Sequence, residues 1–198
     1  MGLPKATLRF GPETMVERVG RVLGSIVSPI IIVAAEGQPL PDFKRPVQIV
    51  RDQRPERGPL EGLAAGLTAL ASQADAAYVT SCDVPLLEPG FVKRMIARLG
   101  EREAAVPVQA DMLHPLAAVY RTSVLKAIRS LLTADQLRMM GIFDLVDTVR
   151  VSVDELADVD PPLHTLRNLN TSDDYLAALA SEGFAAPPAV LEALQREA

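Results

Sequence analysis

Six short apolar runs, rich in β-branched residues and separated by helix-like stretches, constrain this chain more than any other feature. PIIIVAA (29–35), VQIVR (47–51), AAYVTSC (76–82), AAVPV (104–108), LAAVY (116–120) and DTVRVSV (147–153) read as strands. Pro107 predicts that the fourth ends early or lies at a sheet edge. Between them, residues 12–26, 62–72, 89–100 and 122–132 carry apolar residues at three and four spacing. Pro12, Pro59 and Pro89 each suit a first helical turn, and Thr171-Ser172-Asp173-Asp174 reads as a helix start. This rhythm predicts a three-layer, doubly wound α/β domain over residues 1–182 with a mostly parallel sheet. Residues 183–198 read as a proline-broken tail with one short amphipathic helix.

Length and composition agree. A chain of 198 residues with 48% hydrophobic and 23% charged residues can bury one α/β core. A net charge of −5 argues against broad binding to nucleic-acid backbones. One cysteine, Cys82, forbids an intrachain disulfide. No apolar run approaches the roughly 18 residues of a membrane span, and no signal-peptide pattern opens the chain. The expectation is a cytoplasmic protein without membrane or nucleic-acid partners.

In open α/β sheets, ligands sit beyond the carboxyl ends of the strands, so the residues after each strand carry the chemistry. Asp83, in TSCDVP (80–85), leaves a buried strand. There it can hold Mg²⁺ with help from substrate phosphates, or simply cap the next turn. In RGPLEG (57–62), Gly58 lets backbone approach a ligand and Gly62 lets the following helix pack tightly. Asp52, just upstream, can accept from a base edge or ribose hydroxyl, or stay a solvated loop acid. Lys5 follows a Gly-Leu-Pro turn, where an ammonium can meet phosphate. His114 sits in a loop before a strand. With His164 the only other histidine, and no His/Cys cluster, zinc is not expected. Asn168 and Asn170, in RNLNTSDD (167–174), lie on one side of an extended segment, and Asn170 or Thr171 suits the N-cap of the last helix. Arg138 falls on a helix-like stretch.

The order of these pieces is more specific than any one of them. MGLPKA, IIIVAA, RGPLEG, CDVPLL, HPLAAVY and LRNLNTSDDY together resemble the molybdenum cofactor guanylyltransferases, the MobA family, over residues 1 to about 180. The resemblance implies a Rossmann-like nucleotidyltransferase fold. It implies transfer of GMP from GTP to molybdopterin, with release of pyrophosphate, Mg²⁺ as cofactor and other cofactor-assembly proteins as partners. By motif position, Lys5 would neutralise phosphate charge and Asp83 would hold the metal. Asp52, Gly58 and Gly62 would line the nucleotide site. His114, Arg138, Asn168 and Asn170 would lie toward the pterin.

Two departures stand out. The family signature runs approximately LAGGxSxRMGxxKA after a first strand, and this chain matches it only from Met1-Gly2 onward. The resemblance therefore implies a domain lacking that strand and part of the phosphate loop, with exposed sheet edges as a consequence. Ala35-Glu36 also stands where the family often has an asparagine. Two alternatives remain open at this level: a cytidylyltransferase acting on the same pterin, and a non-catalytic module that binds molybdopterin or a partner enzyme.

Overall fold

The computed structural model describes residues 4–52, 54, 57–188, 190 and 191. The start of the Met-Gly-Leu loop, part of the RDQRPERG segment and the end of the tail lie outside the described residues.

A two-residue hairpin opens the fold, β1 (Arg9–Phe10) against β2 (Glu13–Thr14), with Pro12 in its turn. Helix α1 (Met15–Leu23) therefore starts later than Pro12 predicts. Thr14 caps it, and the Glu17 side chain reaches back to the Thr14 N–H, closing a capping box. Next come β3 (Ile31–Ala35), β4 (Gln48–Asp52), α2 (Pro59–Leu70), β5 (Ala76–Thr80) and α3 (Pro89–Leu99). Pro59 and Pro89 occupy first turns as expected, where the missing N–H has no intrahelical partner to lose. The remaining elements are β6 (Ala104–Gln109), β7 (Met112–Leu113), β8 (Ala117–Arg121), α4 (Leu125–Thr133), β9 (Thr148–Ser152) and α5 (Ser172–Ser181).

The layers follow from the twofold period of the strands. Ala104 and Val106 of β6 face α2 and α4, meeting Leu60, Leu67 and Ile128. Ala105, between them in sequence, faces α3 and meets Phe91 and Met95. Apolar residues at helical spacing close each face, as the sequence pattern requires. A third cluster joins α5 to the N-terminal hairpin through Tyr175, Leu179, Phe10 and Met15. Phe184, past α5, stands edge-on to Phe10 at 5.9 Å, so the described part of the tail returns to the domain. Gly11 permits this: its φ is +63°, and a Cβ there would lie 2.7 Å from the Phe184 ring.

The sheet is mixed where the sequence predicts mostly parallel pairing. β3 pairs with β4, and β6 with β9, in parallel. β8 runs antiparallel to both β5 and β6. The cause is local. Ala110 and Asp111, both at positive φ, turn β6 tightly into β7, and the short stretch up to Ala117 leaves no room for a crossover helix.

Pro107 does not end β6, contrary to its reading. Its carbonyl accepts from the His114 N–H at 3.0 Å, so its nitrogen points toward His114 as well. The His114 carbonyl is already taken by the Ala117 N–H at 3.0 Å. The missing donor thus falls at the break between β7 and β8, where the ladder does not need it. The strands form separate sheets: the β3–β4 pair, and a five-stranded sheet that begins at β5. Among the described residues, β3 and β5 each keep one edge without a strand partner.

Candidate functional site

Ala117 pairs with Thr80, so the start of β8 lies beside the carboxyl end of β5. Asp83 follows β5 there and is 8% exposed. Its Oδ2 accepts from Lys5 Nζ at 2.8 Å. Its Oδ1 accepts from Asn168 Nδ2 at 2.8 Å and from the Ser81 hydroxyl. Lys5 Nζ also donates to Asn170 Oδ1 at 2.7 Å. Three segments far apart in sequence, around Lys5, Asp83 and Asn168–Asn170, therefore meet at one carboxylate.

Backbone contacts explain how the two asparagines arrive. The Leu169 N–H donates to the Asp83 carbonyl at 2.9 Å, and the Leu169 side chain is fully buried. Asn168 and Asn170 flank this anchor in an extended segment, so both side chains turn to the opposite side. Upstream, the fully buried Asp160 accepts from the His164 and Thr165 N–H groups, each at 2.9 Å. Thr165 Oγ1 in turn accepts from the Glu88 N–H at 3.0 Å, fixing the loop beside α3. Thr171, rather than Asn170, caps α5, which leaves the Asn170 amide free for Lys5.

The residues expected on the nucleotide side lie at the carboxyl end of β4 and in the start of α2. Asp52 ends that strand and its Oδ1 accepts from the Arg54 N–H at 2.9 Å, a local turn. Gly58 is the N-cap of α2 at φ +76°, a conformation glycine takes without strain, with open space around it. Gly62 is not the tight packing point predicted. A Cβ there would meet Val33 at an ordinary 3.7 Å, whereas at Gly66, one turn on, it would come within 3.1 Å.

Glu61, which the sequence reading passed over, is 7% exposed and pairs with Arg54 at 2.5 Å and Arg57 at 3.4 Å. Arg57 continues to Asp135 and to the Leu132 carbonyl, both at 3.0 Å, tying the loop to the end of α4. The four-residue spacing of Arg57 and Glu61 was the available signal. Ser81 had no signal, because only the turn at Cys82 aims it back at Asp83.

His114 precedes β8 at the same sheet end. Its Nε2 is buried without a partner, and burial holds its pKa below the ordinary histidine value. Arg138 is exposed and lies just ahead of a 3-10 turn (Met139–Asp144), not within a helix as its surroundings predict. No contact ties it to the Asp83 cluster. Cys82, beside Asp83, has its thiol pKa raised by burial and then by the neighbouring carboxylate.

The donor set suits magnesium better than zinc. Among the described residues no group of three or more His, Cys, Asp or Glu converges. Asp83 is a single, nearly buried carboxylate at an open strand end. Magnesium fits such a site because it keeps waters and takes phosphate oxygens as its other ligands.

Known proteins share the sequence pattern and the fold of this chain. The sequence profile of the MobA-like NTP transferase domain matches residues 1–152. A protein of Mycobacterium marinum named "Probable molybdenum cofactor guanylyltransferase" is 35% identical over 181 residues, covering 89% of this chain and 86% of that protein. One of the same name in Mycobacterium tuberculosis is 35% identical over 176 residues, covering 87% and 83%. Among solved structures, molybdopterin-guanine dinucleotide biosynthesis protein A of Archaeoglobus fulgidus superposes with a TM-score of 0.74 at 18% identity, covering 92% of each chain. The 2-C-methyl-D-erythritol 4-phosphate cytidylyltransferase of Thermus thermophilus gives 0.66 at 16% identity, covering 90% and 93%. At these identities the solved structures show the shared nucleotidyltransferase fold. The profile match across three quarters of the chain and the sequence relatives carry the rest, and the protein belongs to the MobA-like NTP transferase family.

Proposed function

We propose that this protein transfers GMP from GTP to the terminal phosphate of molybdopterin carrying molybdenum, releasing pyrophosphate. The observation that carries this reading is the Lys5–Asp83–Asn168–Asn170 cluster at the carboxyl end of β5. In the transfer, an oxygen of the pterin's phosphate attacks the α-phosphorus of GTP. The bond from that phosphorus to the bridging oxygen breaks, and pyrophosphate leaves with that oxygen. Such a step needs alignment and charge neutralisation more than covalent help from the protein.

Each residue has a part in this. Lys5 brings a fixed cation to the polyphosphate. Asp83 would hold Mg²⁺, which supplies positive charge against the phosphates when bound. Asn168 and Ser81 orient the Asp83 carboxylate by donating to one of its oxygens, and Asn170 holds the Lys5 ammonium. The two asparagines thus act first on the metal and phosphate side, in addition to their assignment toward the pterin. Asp52 and the Gly58 turn offer the nucleoside an acceptor and an open backbone. His114 and Arg138 remain assigned to the pterin side, His114 through its buried, unpartnered nitrogen.

The test is a titration of GTP, CTP and ATP with Mg²⁺ against this chain and its Asp83→Ala variant, followed by turnover with molybdopterin. Magnesium-dependent binding that prefers GTP and is lost in the variant, together with turnover at least about a hundredfold lower, supports the reading, a loss of the size expected for a group that stabilises transition-state charge. Preference for CTP would move the assignment to cytidylyl transfer. Binding of molybdopterin without any nucleotide would favour a non-catalytic module.

A further inference from the structure

One stretch of chain, residues 168–175, reaches the Lys5 segment twice. It runs from the extended Asn168–Asn170 segment into the first turn of α5. Asn170 Oδ1 accepts from Lys5 Nζ at 2.7 Å. Further on, the Tyr175 hydroxyl donates to the Arg9 carbonyl at 2.5 Å. The Lys5 segment is therefore held at its ammonium and again at its backbone, both times by the start of α5.

Between those two points the backbone has little freedom. Lys5 opens a 3-10 turn (Lys5–Thr7), and its carbonyl accepts from the Leu8 N–H at 3.2 Å. The Leu8 carbonyl accepts from the Met15 N–H at 2.9 Å. Successive carbonyls of an antiparallel strand point to opposite sides, so that of Arg9 points away from β2. The Thr14 N–H opposite it is already taken by Glu17 at 2.8 Å. The hairpin thus leaves the Arg9 carbonyl open, and Tyr175 supplies its donor.

Packing alone does not ask for a hydroxyl here. The Tyr175 ring is fully buried among Leu8, Phe10, Met15 and Leu169, a space that phenylalanine would also fill. A buried phenol needs a partner for its O–H, and this one spends it on the Lys5 segment. Burial raises the Tyr175 pKa, so the group stays a donor at neutral pH. A lysine ammonium rides on a flexible stem, and its position follows that of its backbone. A misplacement of about 1 Å at a reacting centre can cost about a hundredfold in rate.

We propose that Tyr175 is a positioning residue for Lys5: its hydroxyl clamps the backbone from which the ammonium reaches Asp83 and the polyphosphate. The catalytic half of this rests on Lys5 meeting the polyphosphate in guanylyl transfer. The clamp itself does not.

The experiment compares the native chain with Tyr175→Phe, Lys5→Met, the variant carrying both, and Leu179→Val. Leu179→Val trims the same buried cluster and leaves the hydroxyl in place. Amide hydrogen exchange is read at Thr7 and Leu8, and GMP transfer as kcat/KM. In Tyr175→Phe, exchange at those amides should quicken at least about tenfold, and kcat/KM should fall at least about tenfold. Leu179→Val should lower Tm and leave both near native. In the Lys5→Met background, Tyr175→Phe should lower kcat/KM no further, because a residue that acts through Lys5 then has nothing to place. Unchanged exchange in Tyr175→Phe overturns the proposal. So do equal falls in both Lys5 backgrounds, or the same losses in Leu179→Val, since Tyr175 would then act through packing alone. Absence of turnover in the native chain would sink the guanylyl-transfer reading instead, and exchange at Thr7 and Leu8 would still decide the clamp.

Discussion

Asp83 accepts from Lys5, Ser81 and Asn168, so its carboxylate is oriented before any ligand arrives. The positions of Asp83 after a buried strand and of Lys5 after a turn were legible, while their roles came only from the family resemblance. That Asn168 and Asn170 bind these two residues was not, because the contact spans 85 and 165 positions. His114 yields a prediction at this scale. Burial lowers its pKa in the folded protein, so the unfolded chain binds its proton more readily. Its stabilising contribution is present above the unfolded value of about 6.5 and is lost as pH falls below it. Melting curves at neutral and mildly acidic pH should show a smaller acid-induced fall in Tm for His114→Phe than for the native chain. An unchanged fall would remove His114 as a cause of acid sensitivity.

The helices were legible by their first turns. Pro59, Pro89 and the Thr171–Asp174 pair mark starts that the structure keeps. Strand direction was less so. A run such as LAAVY carries the same pattern in either orientation, and only the turn at Ala110 and Asp111 makes β8 antiparallel. The α5 cap gives a measurable case. Thr171→Ala removes the side-chain acceptor for the Asp174 N–H and should cost about 1 kcal/mol. For a domain of this size that lowers Tm by roughly 2–4 °C. Differential scanning calorimetry checks it, and no shift would mean that the packing of Tyr175 and Leu179 alone sets this helix end.

At the scale of the molecule, a covered core spans two helix layers, and the N- and C-terminal segments share a cluster of their own. Among the described residues no helix is long and apolar enough to cross a membrane. Phe184 and Val190 join Leu8 and Phe10 in that shared cluster, although the sequence assigned them to a proline-broken tail outside the domain. Ending the chain at Gly183 should therefore cost about 2 kcal/mol through lost apolar burial. Chemical denaturation of the shortened chain measures this, and unchanged stability would return the tail to an appendage.

By itself the sequence determined the α/β class, the starts of α2, α3 and α5, and the carboxylate at the end of β5. These depend on residue type and on periods of two and about four, which short windows contain. Tertiary structure alone decided the rest. It set the antiparallel β8, the partners of Asn168 and Asn170, and the Glu61 tie between two arginines. Each of these is a relation between segments distant along the chain, and such relations exist only once packing and hydrogen bonding bring the segments together.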